Sequence, residues 1–263
     1  MNLQLLVAAV DKNVVALSND MNIGSDAVIC NQGSEFSRVS YKHRGYTVDT
    51  YSFTEKGVGL NRNNALMRAS ADIVLFSDDD IVYTDDYREK VLAEFERNPK
   101  ADMILFQVDV EERRRTYEIT GYGRVRRYNC GRYPTYSMAV KLDRVRRENI
   151  TFSLLFGGGA KYSNGEDSLF IHDCLKHGLR VYKAPVTIGR EMPRESTWFQ
   201  GYTEKFFYDR GVLYESLYGI LAGLMARRFL FRNKSTMCQS ITVKEASALM
   251  KKGIREAGEA RKA

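Results

Sequence analysis

The sequence predicts an α/β fold: a central, mostly parallel sheet flanked by helices, with a helical extension at the C-terminus. Three observations carry this. Short apolar runs alternate with helix-like stretches through the first 190 residues or so. Several runs, such as "ADIVLFS" at 71–77, are almost continuously apolar, as strands covered on both faces are. From about residue 206 the pattern becomes long and helical, "FFYDRGVLYESLYGILAGLMARRFLF". At 263 residues the chain can form one large domain, or one domain plus an appendage, around a sizeable core.

The elements follow in order. "LQLLVAAV" (3–10) and "DAVICN" (26–31) read as strands, the second ended by "QGS", and "GYTVDTYS" (45–52) as a weaker third. "LNRNNALMRAS" (60–70) spaces Leu60, Ala65, Leu66 and Ala69 close to a helical stripe. A second helix, 84–99, opens on a Thr-Asp cap signal, carries Tyr87, Val91, Leu92 and Phe95 on one face and stops before Pro99. "ADMILFQVDV" (101–110) is another strand. Residues 111–150 are polar and Arg-rich, and "FGGGAKYSNGED" (156–167) is a glycine-rich loop. The helix at 166–178 turns Leu169, Phe170, Cys174 and Leu175 inward and stops at Gly178, before a late strand at 179–189. Strands separated by helices point to a mainly parallel sheet.

The expected organisation is a domain over 1–211 and a basic amphipathic helical tail over 212–263. No uncharged run reaches the ~18–20 residues that span a bilayer. Two readings of the tail stay open. It packs on the core, or it lies on a membrane surface through 212–234 with Arg227, Arg228, Arg232 and Lys234 toward anionic lipid. The last stretch, from Thr242, reads as a basic helix that frays.

The net charge of +7 is unevenly placed. Residues 113–147 carry eleven Lys/Arg against two acids, and residues 224–263 carry ten against three. Such regions suit polyanions, or are simply solvated basic faces. The four cysteines form no C-x-x-C pair, and the N-terminal apolar run is short with no basic region before it. Both favour free thiols and a cytoplasmic protein.

Asp78, Asp79 and Asp80 follow an apolar strand. In open α/β sheets, ligands bind at the carboxyl ends of strands. Adjacent carboxylates raise one another's pKa unless a cation is present. A hard divalent ion, Mn2+ or Mg2+, supplies one and leaves positions for phosphate oxygens and water. The plainer alternative is a solvated acidic turn. Glu166 and Asp167, at a helix start, are either caps or groups for proton transfer.

The stretch "KGVGLNRNNALMRASADIVLFSDDDIVY" resembles the nucleotide-sugar signature of family 2 glycosyltransferases, with Arg62-Asn63 as the pair that opens a helix before the D-x-D motif. "DAVICNQGS" stands where that family has a strand ending in a base-contacting acid or amide, here Asn31; an amide leaves uracil favoured and thymine open. "GGGAKYSNGEDSLF" looks like the family's Glu-Asp motif, which makes Asp167 the general base, beside Glu166. The resemblance spans roughly 3–190 and implies the GT-A (nucleotide-diphospho-sugar transferase) fold and the inverting type of reaction. It implies metal on Asp78 and Asp80, with Asp79 the alternative, and donor contacts from Asn31, Arg62, Asn63, Asp78 and Asp79. Lys56 or Arg62 could assist at the phosphates, from their charge and loop position. The three histidines, His43, His172 and His177, read as ordinary residues. "STWFQGYTEKFFYDRG" resembles a stretch of a bacterial subset, and its Trp198 either stacks on a sugar or sits in the core.

The function implied is metal-dependent sugar transfer from a nucleotide-diphosphate donor, UDP-sugar favoured, to a hydroxyl of a glycan or lipid-linked acceptor. With the basic tail, that suggests surface polysaccharide synthesis, peripheral on the inner face of the cell membrane. The alternatives are a nucleotidyltransferase, against which the glycine-free "AAVDKNVVALS" counts, and a basic nucleic-acid-binding protein, against which the acidic cluster counts. No nucleic acid is expected as a partner, and oligomeric state is left open.

Overall fold

The computed structural model describes residues 1–112, 115, 117–192 and 201–261. Ten strands of the described chain pair into one sheet. β1 (Leu3–Val10) is the middle of its parallel half, between β2 (Asp26–Gln32) and β5 (Ile73–Asp78), and β4 (Tyr46–Phe53) runs parallel beyond β2. The register sets Ala9 beside Asn31 and Ala8 beside Asp78, so the carboxyl ends of these strands share one edge.

Further along, β7 (Met103–Asp109) pairs parallel with β10 (Val181–Glu191). Short β6 (Ile81–Tyr83) and β8 (Gly123–Arg124) pair antiparallel with β10. β9 (Met138–Lys141) lies antiparallel between β5 and β7 and joins the two halves. β3 (Ser37–His43) is an antiparallel edge on β4, largely exposed. Polar residues and Arg38, Lys42 and His43 along it suit an edge that must not recruit another strand.

Period-2 alternation divides the core between two faces. Leu3, Leu5 and Val7 face α1 (Val14–Asp20) and α3 (Tyr87–Arg97), packing with Leu17, Tyr87, Val91 and Phe95. Leu6, Val28, Val74 and Phe76 face α2 (Val58–Arg68), α4 (Leu142–Arg147) and α5 (Glu166–Lys176). There Phe152 stacks on Phe170 with centroids 4.1 Å apart, and Phe76 meets both edge-on at 5.1 and 5.4 Å.

Three helices complete the described chain: α6 (Glu204–Tyr218), α7 (Ala222–Met237) and α8 (Val243–Ala260). α6 runs through positions 211 and 212, so the boundary expected there falls inside a helix. Val212, Leu213 and Leu217 of α6 pack with Phe156 and Leu169, beside the glycine-rich loop and α5. α8 does not fray at its start, where Thr242 and Glu245 form a capping box. α6 and α8 touch backbone to backbone: a Cβ on Gly211 would lie 2.2 Å from the Met250 carbonyl, and one on Gly253 2.3 Å from that of Tyr208. Gly211→Ala should therefore cost about 1–3 kcal/mol, seen as a lower urea midpoint. An unchanged midpoint would show that the crossing relaxes freely.

No helix of the described residues is long and apolar enough to cross a membrane. Cys30, Cys130, Cys174 and Cys238 are all free thiols.

Candidate active site

β1, β2, β4 and β5 end along one edge, and two helix starts face it. α2 begins there at Gly57, and α5 begins at Gly165, in left-handed backbone at φ 118°. Asp78 is the last residue of β5, and Glu166 and Asp167 are the first two of α5.

Arg62 joins these acids. Its guanidinium donates to Asp78 Oδ1 at 2.6 Å and to Glu166 Oε1 at 2.8 Å. It is buried and lies over the Phe152 ring, 5.6 Å from the centroid. The two carboxylates and their hydrogen bonds hold its charge more firmly than burial opposes it. Arg62 thus holds two protein carboxylates together, one at the strand end and one at the helix start.

Its neighbours on α2 are committed as well. Asn61 donates to the carbonyls of Ala9 and Cys30, at the ends of β1 and β2. Asn63 donates to the Phe152 carbonyl and accepts from its N–H. Three successive residues therefore tie α2 to the sheet edge, the acids and the chain leading to the glycine-rich loop. Asn63, expected at the donor, makes this latch. Asn31 is likewise engaged. Its buried amide accepts from the Lys12 N–H and donates to the Lys12 carbonyl, at 3.1 and 3.2 Å. These two bonds fix the amide against the turn after β1 and use one of its two N–H groups and one of its two lone pairs.

The three aspartates do not act alike. Asp79 is buried and turns beneath β1, accepting from the Val10 N–H at 3.2 Å with Lys12 Nζ 4.0 Å away. Asp78 and Asp80, either side of it, are half-buried at the strand end. This alternation favours the outer pair as the groups that face a ligand. Lys56 is exposed and lines a cleft of about 90 Å³ between the start of α2 and the loop at Gly159. Among the described residues no group of three or more His, Cys, Asp or Glu could hold a metal. Two hard carboxylates, Asp78 and Asp80, still suit a divalent ion that completes its shell with phosphate and water.

Asp167 Oδ1 accepts from the Ser168 N–H at 2.6 Å and from its hydroxyl at 3.2 Å. Burial raises its pKa most, the Glu166 charge adds to this, and the Ser168 bonds and Arg62 lower it; the net is a rise to about 6. The helix start alone would have pushed the other way. The loop before it is fitted to Glu166: a Cβ on Gly157, at φ 102°, would lie 2.8 Å from Glu166 Oε2 and 2.7 Å from Val58. From the other side, Asp209 of α6 accepts from the Ser163 N–H at 2.9 Å.

A roomier cavity, about 350 Å³, lies between the end of α3 and the amino ends of β7 and β10. None of the acids above lines it, and it sits at the opposite edge of the sheet. The chain leaves β10 beside the aspartates, where the Met192 N–H donates to the Asp80 carbonyl at 2.7 Å. Trp198 lies outside the described residues. Nothing in the sequence singled out Lys12, Asn61 or Ser168, because their contacts depend on chain segments brought together only by folding.

Residues 29–154, just under half the chain, match the family model described as glycosyl transferase family 2. Over that stretch the chain is a family 2 glycosyltransferase. The match takes in Arg62 and the three aspartates and ends before Glu166. No curated protein matches the sequence. Among solved structures, S. aureus TarS 1-349 in complex with UDP-GlcNAc is similar over 100% of this chain and 92% of that one, with a TM-score of 0.65 and 12% identity. Against the S. aureus TarS structure at TM-score 0.64 and 14% identity, this glycosyltransferase covers 50% of that chain. The mannosyltransferase PcManGT from Pyrobaculum calidifontis, in complex with GDP-Man and Mn2+, is similar over 98% of this chain and 75% of that one, with a TM-score of 0.54 and 12% identity. At such identities the likeness is one of fold, and it is the fold expected from the sequence.

Proposed function

We propose that this glycosyltransferase is metal-dependent and inverting, and moves a sugar from a nucleotide-diphosphate donor, UDP-sugar favoured, to a hydroxyl of a glycan or lipid-linked acceptor. The observation that carries this is the Arg62 bridge. It ties a carboxylate at the strand end, where a diphosphate belongs, to Glu166, the neighbour of Asp167, whose pKa is raised. TarS structures with UDP-GlcNAc and UDP support a uridine donor, and PcManGT with Mn2+ supports a divalent ion.

Asp78 and Asp80 would hold the metal, which when bound neutralises charge on the departing diphosphate. Asp167 supplies the other half. An acceptor hydroxyl is a weak nucleophile, so its proton passes to the Asp167 carboxylate as its oxygen bonds to C1 of the sugar. The bond from C1 to the diphosphate oxygen breaks on the opposite face, and the product is inverted. The reading places the enzyme in surface polysaccharide synthesis, in the cytoplasm or on the inner face of the membrane. The Arg-rich segment 113–147 and the basic helices suit an anionic acceptor or surface.

A base must be ionised, so activity is present above its pKa and lost as pH falls through it. The pH profile of kcat/KM, which follows the free enzyme, should show an acid limb near 6. A limb at about 4, the ordinary range for Asp, would remove Asp167 from this role. Donor identity is tested by thermal stabilisation and slow hydrolysis with a panel of UDP-, GDP- and dTDP-sugars, with and without Mn2+. A bound donor at 100 times its Kd adds about 2.7 kcal/mol of stability. Silence toward every donor would overturn the proposal.

A further inference from the structure

α7 has two unlike sides. Ala226 and Leu230 pack into the small core between the C-terminal helices, and Ala222 is buried with them. The opposite side carries Leu224, 65% exposed, and Phe231, 75% exposed. The bend that precedes it carries Leu221, 55% exposed, and Ile220, which is fully exposed. With about 3.6 residues per turn, positions 224, 227, 228 and 231 fall on one face. Arg227 and Arg228 are therefore set among the apolar side chains, and exposed Arg232 and Lys234 flank them. From 216 to 244 the chain has no Asp or Glu.

We propose that this face docks on an anionic lipid bilayer. Large apolar side chains in water are unfavourable, and two on the helix face with two more on the bend before it ask for a cover. A bilayer interface takes them up while arginines, with long apolar stems, keep their charges at the headgroups. The absence of acids adds charge complementarity to an anionic leaflet. A second copy seated symmetrically on this face would set Arg227 and Arg228 against their own kind, which disfavours self-association.

The face is also placed near the site. Tyr218, the last residue of α6, lies two residues before Ile220. Its hydroxyl and that of Ser168 both border Gly131, 3.7 and 3.6 Å from where a Cβ there would sit. Ser168 follows Asp167 directly, so the bilayer-facing bend leads away from the start of the helix that bears the proposed base. The acceptor class this favours is a lipid-linked one, presented from the membrane surface; that part rests on the reading of Asp167 given above.

The test uses the full chain with vesicles of phosphatidylcholine, alone or mixed with phosphatidylglycerol, and sedimentation. The chain should partition onto the mixed vesicles and leave them as ionic strength rises. Arg227→Glu with Arg228→Glu, and separately Leu224→Asp with Phe231→Asp, should weaken partition by about tenfold or more. Both variants should keep the thermal midpoint and the slow donor hydrolysis of the wild type. Equal binding to neutral vesicles, or variants that bind as the parent does, would overturn the proposal. So would a dimer in sedimentation velocity that Phe231→Asp dissociates while vesicles stay unbound. Vesicle binding without any donor hydrolysis would leave the docking face standing and count against the reaction instead.

Discussion

Asp167→Asn should lower kcat by about 10²–10⁴-fold and leave donor affinity unchanged. The replacement keeps the shape of the side chain. Its amide oxygen can still accept from the Ser168 N–H, the contact that Asp167 makes at 2.6 Å. What it loses is the ability to take a proton. The donor half of the site, around Asp78 and Asp80, is on a different element and should be untouched. Steady-state transfer with calorimetric donor binding separates the two effects. A variant that fails to bind donor would make Asp167 part of the donor site, and one that keeps kcat would end the base assignment.

Arg62→Ala should be the most destabilising single change at the site, by about 3–5 kcal/mol. Removing the guanidinium leaves Asp78 and Glu166 close together with no cation between them. It also strips the charge from above Phe152, in the layer where Phe152 stacks on Phe170 and Phe76 meets both edge-on. For a chain of this size the fall in Tm is roughly 6–20 °C. Arg62→Lys should recover only part of it, because one ammonium cannot reproduce a planar fork that serves two carboxylates. Arg62 also lowers the pKa of Asp167, so any activity left in the Ala variant should have its acid limb at higher pH. A Tm within a degree or so of the parent would mean that the bridge adds nothing to stability.

The fold was largely legible because its central strands are greedy for cover. Runs such as 3–10, 73–78 and 103–109 are buried on both faces and read as strands without help. β9 was missed because it is four residues long inside an Arg-rich segment, and its burial comes from the strands on either side. β3 was missed because an exposed edge has little apolar pattern to show. In α1 only Leu17 and Ser18 are buried, too few for a stripe. At the site, the acid clusters announced themselves. Arg62 did not announce its role, since it binds residues 16 and 104 positions away. Asn31 and Asn63 are polar residues at suggestive places whose partners turned out to be main chain, which side-chain identity alone does not reveal.

The antiparallel strand between β5 and β7 also dictates an order of assembly. β1, β2, β4 and β5 can pair as they are synthesised, in chain order. β7 has no native sheet neighbour among them and must wait for β9 and β10. The stretch between β7 and β9 takes about 2–6 s to make at roughly 5–20 residues per second. Through that interval Ile73, Leu75, Ile104 and Phe106 stand on open strand edges, so the nascent chain is a natural client for a chaperone until residue 141 is clear of the ribosome.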